Sequence, residues 1–137
     1  PEAKIIHVKR NAEATCWSNY RHYFDTNGLG FTYHLQDVVT YYGLYKNLMH
    51  YWYSHYGNRI YELVYEDLVE NQEKEIRKLV SYLDLKWEKA CLSPEDNKRY
   101  VTTASSEQVR KKIYNGSSLK WQNYKTYIGG AFDTLER

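Results

Sequence analysis

"KIIHVKRNAEATCWSNYRHYF", residues 4–24, decides how the rest of the chain is read. Its opening run, "KIIHV" (4–8), is short, nearly continuous in apolar residues and rich in β-branched ones. That is the pattern of a strand buried on both faces, as in a parallel sheet. The run ends in Lys9 and Arg10. Asn11 is a good helix N-cap, and residues 12–24 contain neither Gly nor Pro, so a helix is predicted there. The order strand, arginine, helix start places a planar cation at the carboxyl end of a sheet. Ligands of α/β sheets bind at such ends, and helix N-termini favour anions. Ser18 lies six residues into the helix, roughly 9 Å along its axis at about 1.5 Å per residue. The Arg10 fork and the Ser18 hydroxyl can therefore hold one phosphate together. On spacing alone, an arginine paired with a surface carboxylate and a serine facing solvent is the favoured reading.

Residues 25–34, "DTNGLGFTYH", read as a loop. From Leu35 to His55 the apolar positions Leu35, Val38, Val39, Tyr42, Tyr45, Met49 and Trp52 make the stripe of one long amphipathic helix. "GN" at 57–58 ends it. "RIYELVY" (59–65) is a second strand, and "EDLVEN" (66–71) reads as a turn. Residues 73–84 form a further helix, with Ile76, Leu79, Val80 and Leu83 on one face. "SPED" (93–96) is a turn or helix start. Residues 100–127 read as mostly loop with short helices. The alternation of strands and helices predicts an α/β fold with right-handed crossovers. Arg10 then stands at one strand end and Tyr65 at another.

Composition narrows the function classes. The net charge is only +2, from 19 basic and 17 acidic residues. That is too balanced for a protein that coats nucleic acid, so any anion site is local. Two cysteines, Cys16 and Cys91, make no disulfide framework and read as reduced, buried thiols. No apolar run approaches the roughly 20 residues that span a bilayer. No GxxxxGK[ST] loop or GxGxxG is present, so the chain holds no self-contained nucleoside triphosphate site. The histidines have no metal-sharing spacing, and His7 reads as a core residue of the strand.

Three further stretches carry possible chemistry. Tyr65 in "YEDL" (65–68) can stack on a base or hydrogen-bond to it. Glu66 and Asp67 are either acid–base groups or first-turn acids that favour a helix dipole. "TTASSEQVRKK" (102–112) and "NGSSLKW" (115–121) are serine-rich and basic, as are loops that close over phosphates and as are ordinary solvated tails.

Taken together, "AKIIHVKRNAEATCWSNYRHYF", "YELVYEDLVENQEKEIRKLVSYLDLKW" and "TASSEQVRKKIYNGSSLKWQNY" resemble three segments of the PAPS-dependent sulfotransferases. PAPS is 3′-phosphoadenosine 5′-phosphosulfate. The similarity is strongest to the bacterial and tyrosylprotein-sulfotransferase-like branch, and the segments follow in family order. The resemblance implies that Arg10 and Ser18 hold the 3′-phosphate and that Tyr65 contacts the adenine side. It implies that Ser105, Lys120 and Arg110 belong to a cofactor-covering loop. "NAEA" lacks the proline usual after the arginine. The family's 5′-phosphosulfate loop and its catalytic Glu or His lie upstream of this strand and have no counterpart in residues 1–137.

The chain therefore looks like the C-terminal portion of a single sulfotransferase-like domain. Residues 1–24 carry the 3′-phosphate strand and helix, 35–92 a helix–strand–helix, and 100–127 the covering loop. The implied fold is a partial P-loop-like parallel sheet. The implied activity is sulfuryl transfer from PAPS to a hydroxyl or amine acceptor. A non-catalytic module that binds adenosine 3′,5′-bisphosphate or a protein is the alternative, and an unrelated α/β interaction domain is a third. The expected setting is cytoplasmic, with no metal, membrane or nucleic acid. Self-association is expected through the sheet edge near residues 1–9 and the helix at 35–55.

Overall fold

The computed structural model describes residues 3–25, 27–101 and 110–135. Its regular elements are β1 (Ile5–Lys9), α1 (Ala12–Arg21), α2 (Leu35–Tyr56), β2 (Ile60–Val64), α3 (Tyr65–Glu70), α4 (Gln72–Tyr82) and α5 (Lys125–Ile128). Short 3-10 segments join them, the longest at Ser117–Tyr124. The chain divides into two compact units. One holds Pro1–Lys9 and Tyr61–Asn115, the other Arg10–Ile60 and Gly116–Arg137.

In the first unit β1 and β2 pair as a small parallel sheet, so the predicted α/β alternation is present. The Tyr61 and Tyr82 rings lie 4.9 Å apart, and Tyr82 donates its hydroxyl to the Ile5 carbonyl at 3.3 Å. These contacts seat α4 against the sheet. Lys4 donates to the Tyr82 carbonyl at 3.0 Å and pairs with Asp84 at 2.8 Å. On α4, Arg77 pairs with Glu73 one turn back and lies 3.9 Å over the Trp87 ring.

Two expectations are corrected here. "EDLVEN" is not a turn: α3 begins at Tyr65 directly after β2. Glu66 and Asp67 occupy its first turn, where negative charge opposes the exposed N–H dipoles, and no Gly or Pro intervenes. Nor is β1 buried on both faces. Ile5, Ile6 and Val8 are 44%, 37% and 59% exposed, and only His7 is half-buried. A sheet of two strands leaves these side chains without enough neighbours to cover them.

The second unit holds the larger core. Cys16 of α1 and Val38 and Val39 of α2 pack with Ile128, Phe132 and Leu135 from the C-terminal segment. Trp17, Phe31, Leu35, Tyr42 and Trp121 surround them. Helix α1 starts at a cap: Asn11 Oδ1 accepts from the Ala14 N–H at 2.8 Å. It stops at Arg21, three residues short of the expected end. His22 is already extended, and its N–H reaches back only to Asn19, at 3.3 Å. Helix α2 runs one residue beyond the expected span. Thr32, in the 3-10 turn before it, is buried with its hydroxyl on the Leu29 carbonyl at 2.8 Å.

Two outcomes test this architecture. Asn11→Ala removes the cap, and urea unfolding is expected to show a loss of about 1 kcal/mol, with Asn11→Asp close to wild type. The second concerns His7. Burial lowers its pKa below 6.5, opposed by the Glu62 charge and assisted by Lys9. The folded state thus prefers neutral imidazole. Its contribution is complete above pH 6.5 and declines as the pH falls below that value. Thermal melts taken from about pH 7.5 down to about 5.5 should lose more stability in wild type than in His7→Gln. Equal losses would contradict this assignment.

Candidate functional site

Arg10 follows β1 and precedes the cap of α1. Its side chain is half-buried. The guanidinium Nε donates to Ser118 Oγ at 3.2 Å, across 108 residues of sequence. The sequence paired Arg10 with Ser18 on one phosphate; Ser118, whose hydroxyl bonds Arg10, was not part of that expectation. Ser18 itself stands exposed on α1.

Why Ser118 arrives there follows from its own segment. Gly116 adopts φ +87°, a left-handed turn open to glycine and costly for other residues. From that turn the chain enters the 3-10 run Ser117–Tyr124. The run lies against α1: Trp17 and Tyr124 meet at 4.7 Å between ring centroids, with planes 33° apart. Trp121 packs edge-on to Phe132 at 5.5 Å, which ties the run to the core. Ser117 and Ser118 are half-buried, and Lys120 is exposed in the same run.

The second unit thus collects an arginine, two serines, a lysine and the N-terminal end of α1. A serine that accepts from Arg10 Nε keeps its own O–H as a donor, and the guanidinium plane is fixed by that contact. Guanidinium, hydroxyl and ammonium groups of this kind are the donors that bind oxyanions. The other predicted residues fall elsewhere. Tyr65, half-buried at the start of α3, and Arg110 belong to the first unit. Arg110 is exposed and donates to the Arg99 carbonyl. Ser105 lies outside the described residues. Glu66 and Asp67 sit in the first turn of α3, as the dipole reading had it.

Ser117 and Ser118 were not singled out from the sequence. The signal was present in "NGSS": a glycine turn followed by adjacent hydroxyls. Trp17 adds one cost. Its indole Nε1 is buried with no hydrogen-bond partner among the described residues. An orphaned donor of this kind costs about 1–3 kcal/mol. Cys16, its neighbour, is no nucleophile. Burial, with a smaller push from Glu13, raises its pKa to about 12. Among the described residues no helix is long and apolar enough to cross a membrane.

A model of the sulfotransferase family matches residues 1–89. Arg10, Ser18 and Tyr65 fall inside that match; Ser118 and Lys120 lie beyond it. The chain is also similar to an uncharacterized protein of Aquifex aeolicus (strain VF5). The two are 36% identical over 138 residues, covering 99% of this chain and 18% of the relative. The chain thus spans about a fifth of the length of the curated relative it matches.

The thiols report on the α1 packing. Cys16 is fully buried and Cys91 is half-buried. A disulfide exchange reagent at neutral pH should titrate Cys91 in the native protein and Cys16 only after denaturant. Two equally fast thiols would mean that α1 is not packed as described.

Proposed function

Because this chain belongs to the sulfotransferase family, we propose that it forms the nucleotide side of a PAPS-dependent sulfotransferase site. Arg10 and Ser18 bind the donor's 3′-phosphate. Tyr65 meets the adenine side. Ser118, with Ser117 and Lys120, takes the covering role that the sequence assigned to Ser105, Lys120 and Arg110. The observation that carries this reading is the Arg10–Ser118 hydrogen bond, which brings the serine-rich C-terminal run to the strand-end arginine. A P-loop-like sheet is the fold this reading implies, with β1 and β2 as two of its strands. The exposed side chains of Ile5, Ile6 and Val8 support further cover, from another strand or from self-association at this edge. The setting is cytoplasmic, where both thiols stay reduced.

The reaction is sulfuryl transfer to a hydroxyl or amine. A new bond forms from the acceptor heteroatom to sulfur. The bond from sulfur to the bridging phosphate oxygen breaks, and adenosine 3′,5′-bisphosphate leaves. A base takes the acceptor's proton. Residues 1–137 supply phosphate donors, and the base and the 5′-phosphosulfate contacts come from residues outside this set. By itself the chain binds nucleotide and turns over none.

Calorimetry tests the assignment. Each charge-assisted bond to a phosphate contributes roughly 1.5–3 kcal/mol, so Arg10→Ala should weaken adenosine 3′,5′-bisphosphate binding about tenfold or more. Adenosine 5′-monophosphate lacks the 3′-phosphate, and its affinity should change little in the same variant. Equal bisphosphate affinity for wild type and variant would refute the 3′-phosphate role. Sulfuryl transfer from labelled PAPS by the 137-residue chain would refute its dependence on residues outside it.

A further inference from the structure

Helix α2 carries three faces where an amphipathic helix needs two. Val38, Val39, Tyr42 and Tyr45 turn toward the core or lie half-buried, while Gln36, Thr40, Asn47 and Ser54 are exposed and polar. Between them runs a third face of Tyr41, Leu44, Leu48, Tyr51, Trp52 and Tyr56, all 40–61% exposed. At 3.6 residues per turn these six fall within roughly 140° of the helix circumference and cover about 22 Å of its length. The sequence had placed Trp52 on the buried stripe; the structure leaves it on this exposed one.

We propose that this stripe is the interface of a symmetric dimer, in which α2 of one copy packs antiparallel on α2 of a second copy. Area is the first argument. Six large side chains, each about half exposed, offer roughly 600–700 Å² per copy, and a pair of copies buries about 1,200–1,400 Å², within the range of specific interfaces. Charge is the second. Asp37 and Lys46 are the only formal charges on α2. Lys46 is directed away, donating to the Leu135 carbonyl at 3.3 Å. A stripe without charge meets its own copy without like-charge repulsion, and antiparallel packing sets the two helix dipoles head to tail. Preorganisation is the third. Tyr51 and Trp52 contact edge-to-face at 5.2 Å, Tyr51 and His55 meet tilted at 4.3 Å, and Trp52 and Tyr56 lie 5.7 Å apart. Rings already held by one another lose little side-chain freedom on docking.

The stripe's midpoint is Leu48, so the two-fold axis passes there and Leu48 faces the partner's Leu48. Leu44 then meets the partner's Trp52. This inference does not depend on the nucleotide reading, and it concerns a different surface from the β1 edge.

Sedimentation equilibrium of the full chain should show a dimer. Leu48→Asp and Leu48→Lys should each raise the dimer dissociation constant about 100-fold or more, with helical content unchanged by circular dichroism. Mixing the two variants should restore a heterodimer, because opposite charges then face each other across the axis. Leu48→Cys in a Cys91→Ser background reads the same contact without a charge: mild oxidation should link two copies. A wild type that stays monomeric near about 100 μM would assign the stripe to a different occupant and overturn the proposal. Variants that remain dimeric would do so as well, as would a mixture that fails to pair or a cysteine variant that fails to link.

Discussion

The candidate anion site depends on one packing contact remote from it in sequence. Ile128, Phe132 and Leu135 dock against Cys16, Val38 and Val39, and this docking anchors the C-terminal segment on α1 and α2. The 3-10 run Ser117–Tyr124 has little internal hold, since such runs have poor hydrogen-bond geometry beyond a few residues. It stays in place because Trp121 and Tyr124 are drawn into the same apolar surface. Ser118 meets Arg10 as a result. Binding chemistry at the strand end is thus a by-product of burying apolar surface some ten residues downstream, where each large side chain contributes roughly 1.5–3 kcal/mol.

Much of this was legible in the sequence, for identifiable reasons. "KIIHV" and "YELVY" are β-branched runs bounded by cap and turn residues, and both are strands. Helices α1, α2 and α4 carry caps or 3.6-residue stripes, and their positions came out within a few residues. Arg10 was marked because its place after a strand constrains it. What was not legible needed information that local patterns lack. The exposure of β1 depends on how many strands flank it, which five residues do not encode. Helix α3 is six residues long, too short for a periodic stripe. Ser118 competes with several other hydroxyls between Thr102 and Ser118, and a contact across 108 residues leaves no spacing to read.

The two cysteines show how burial decides chemistry. Cys16 lies on the same helix as Ser18 and near Arg10 in sequence, where a thiolate would meet positive charge. Instead its side chain turns into the core, where losing water disfavours the anion. The helix presents its polar residues outward and spends its sulfur on packing.

The 108-residue reach from Arg10 to Ser118 also sets an order of events during synthesis. At about 5–20 residues per second, the ribosome makes Ser118 roughly 5–20 s after Arg10. Ile128, Phe132 and Leu135 emerge later still. Throughout that interval α1 and α2 lack the apolar cover that completes their core, and Arg10 lacks its hydroxyl. The nascent chain therefore passes through a stage with its first helices made and its core open. Chaperones that shield exposed aromatic helices would meet it there, and Arg10 meets Ser118 only after the segment that carries Ile128, Phe132 and Leu135 has been made.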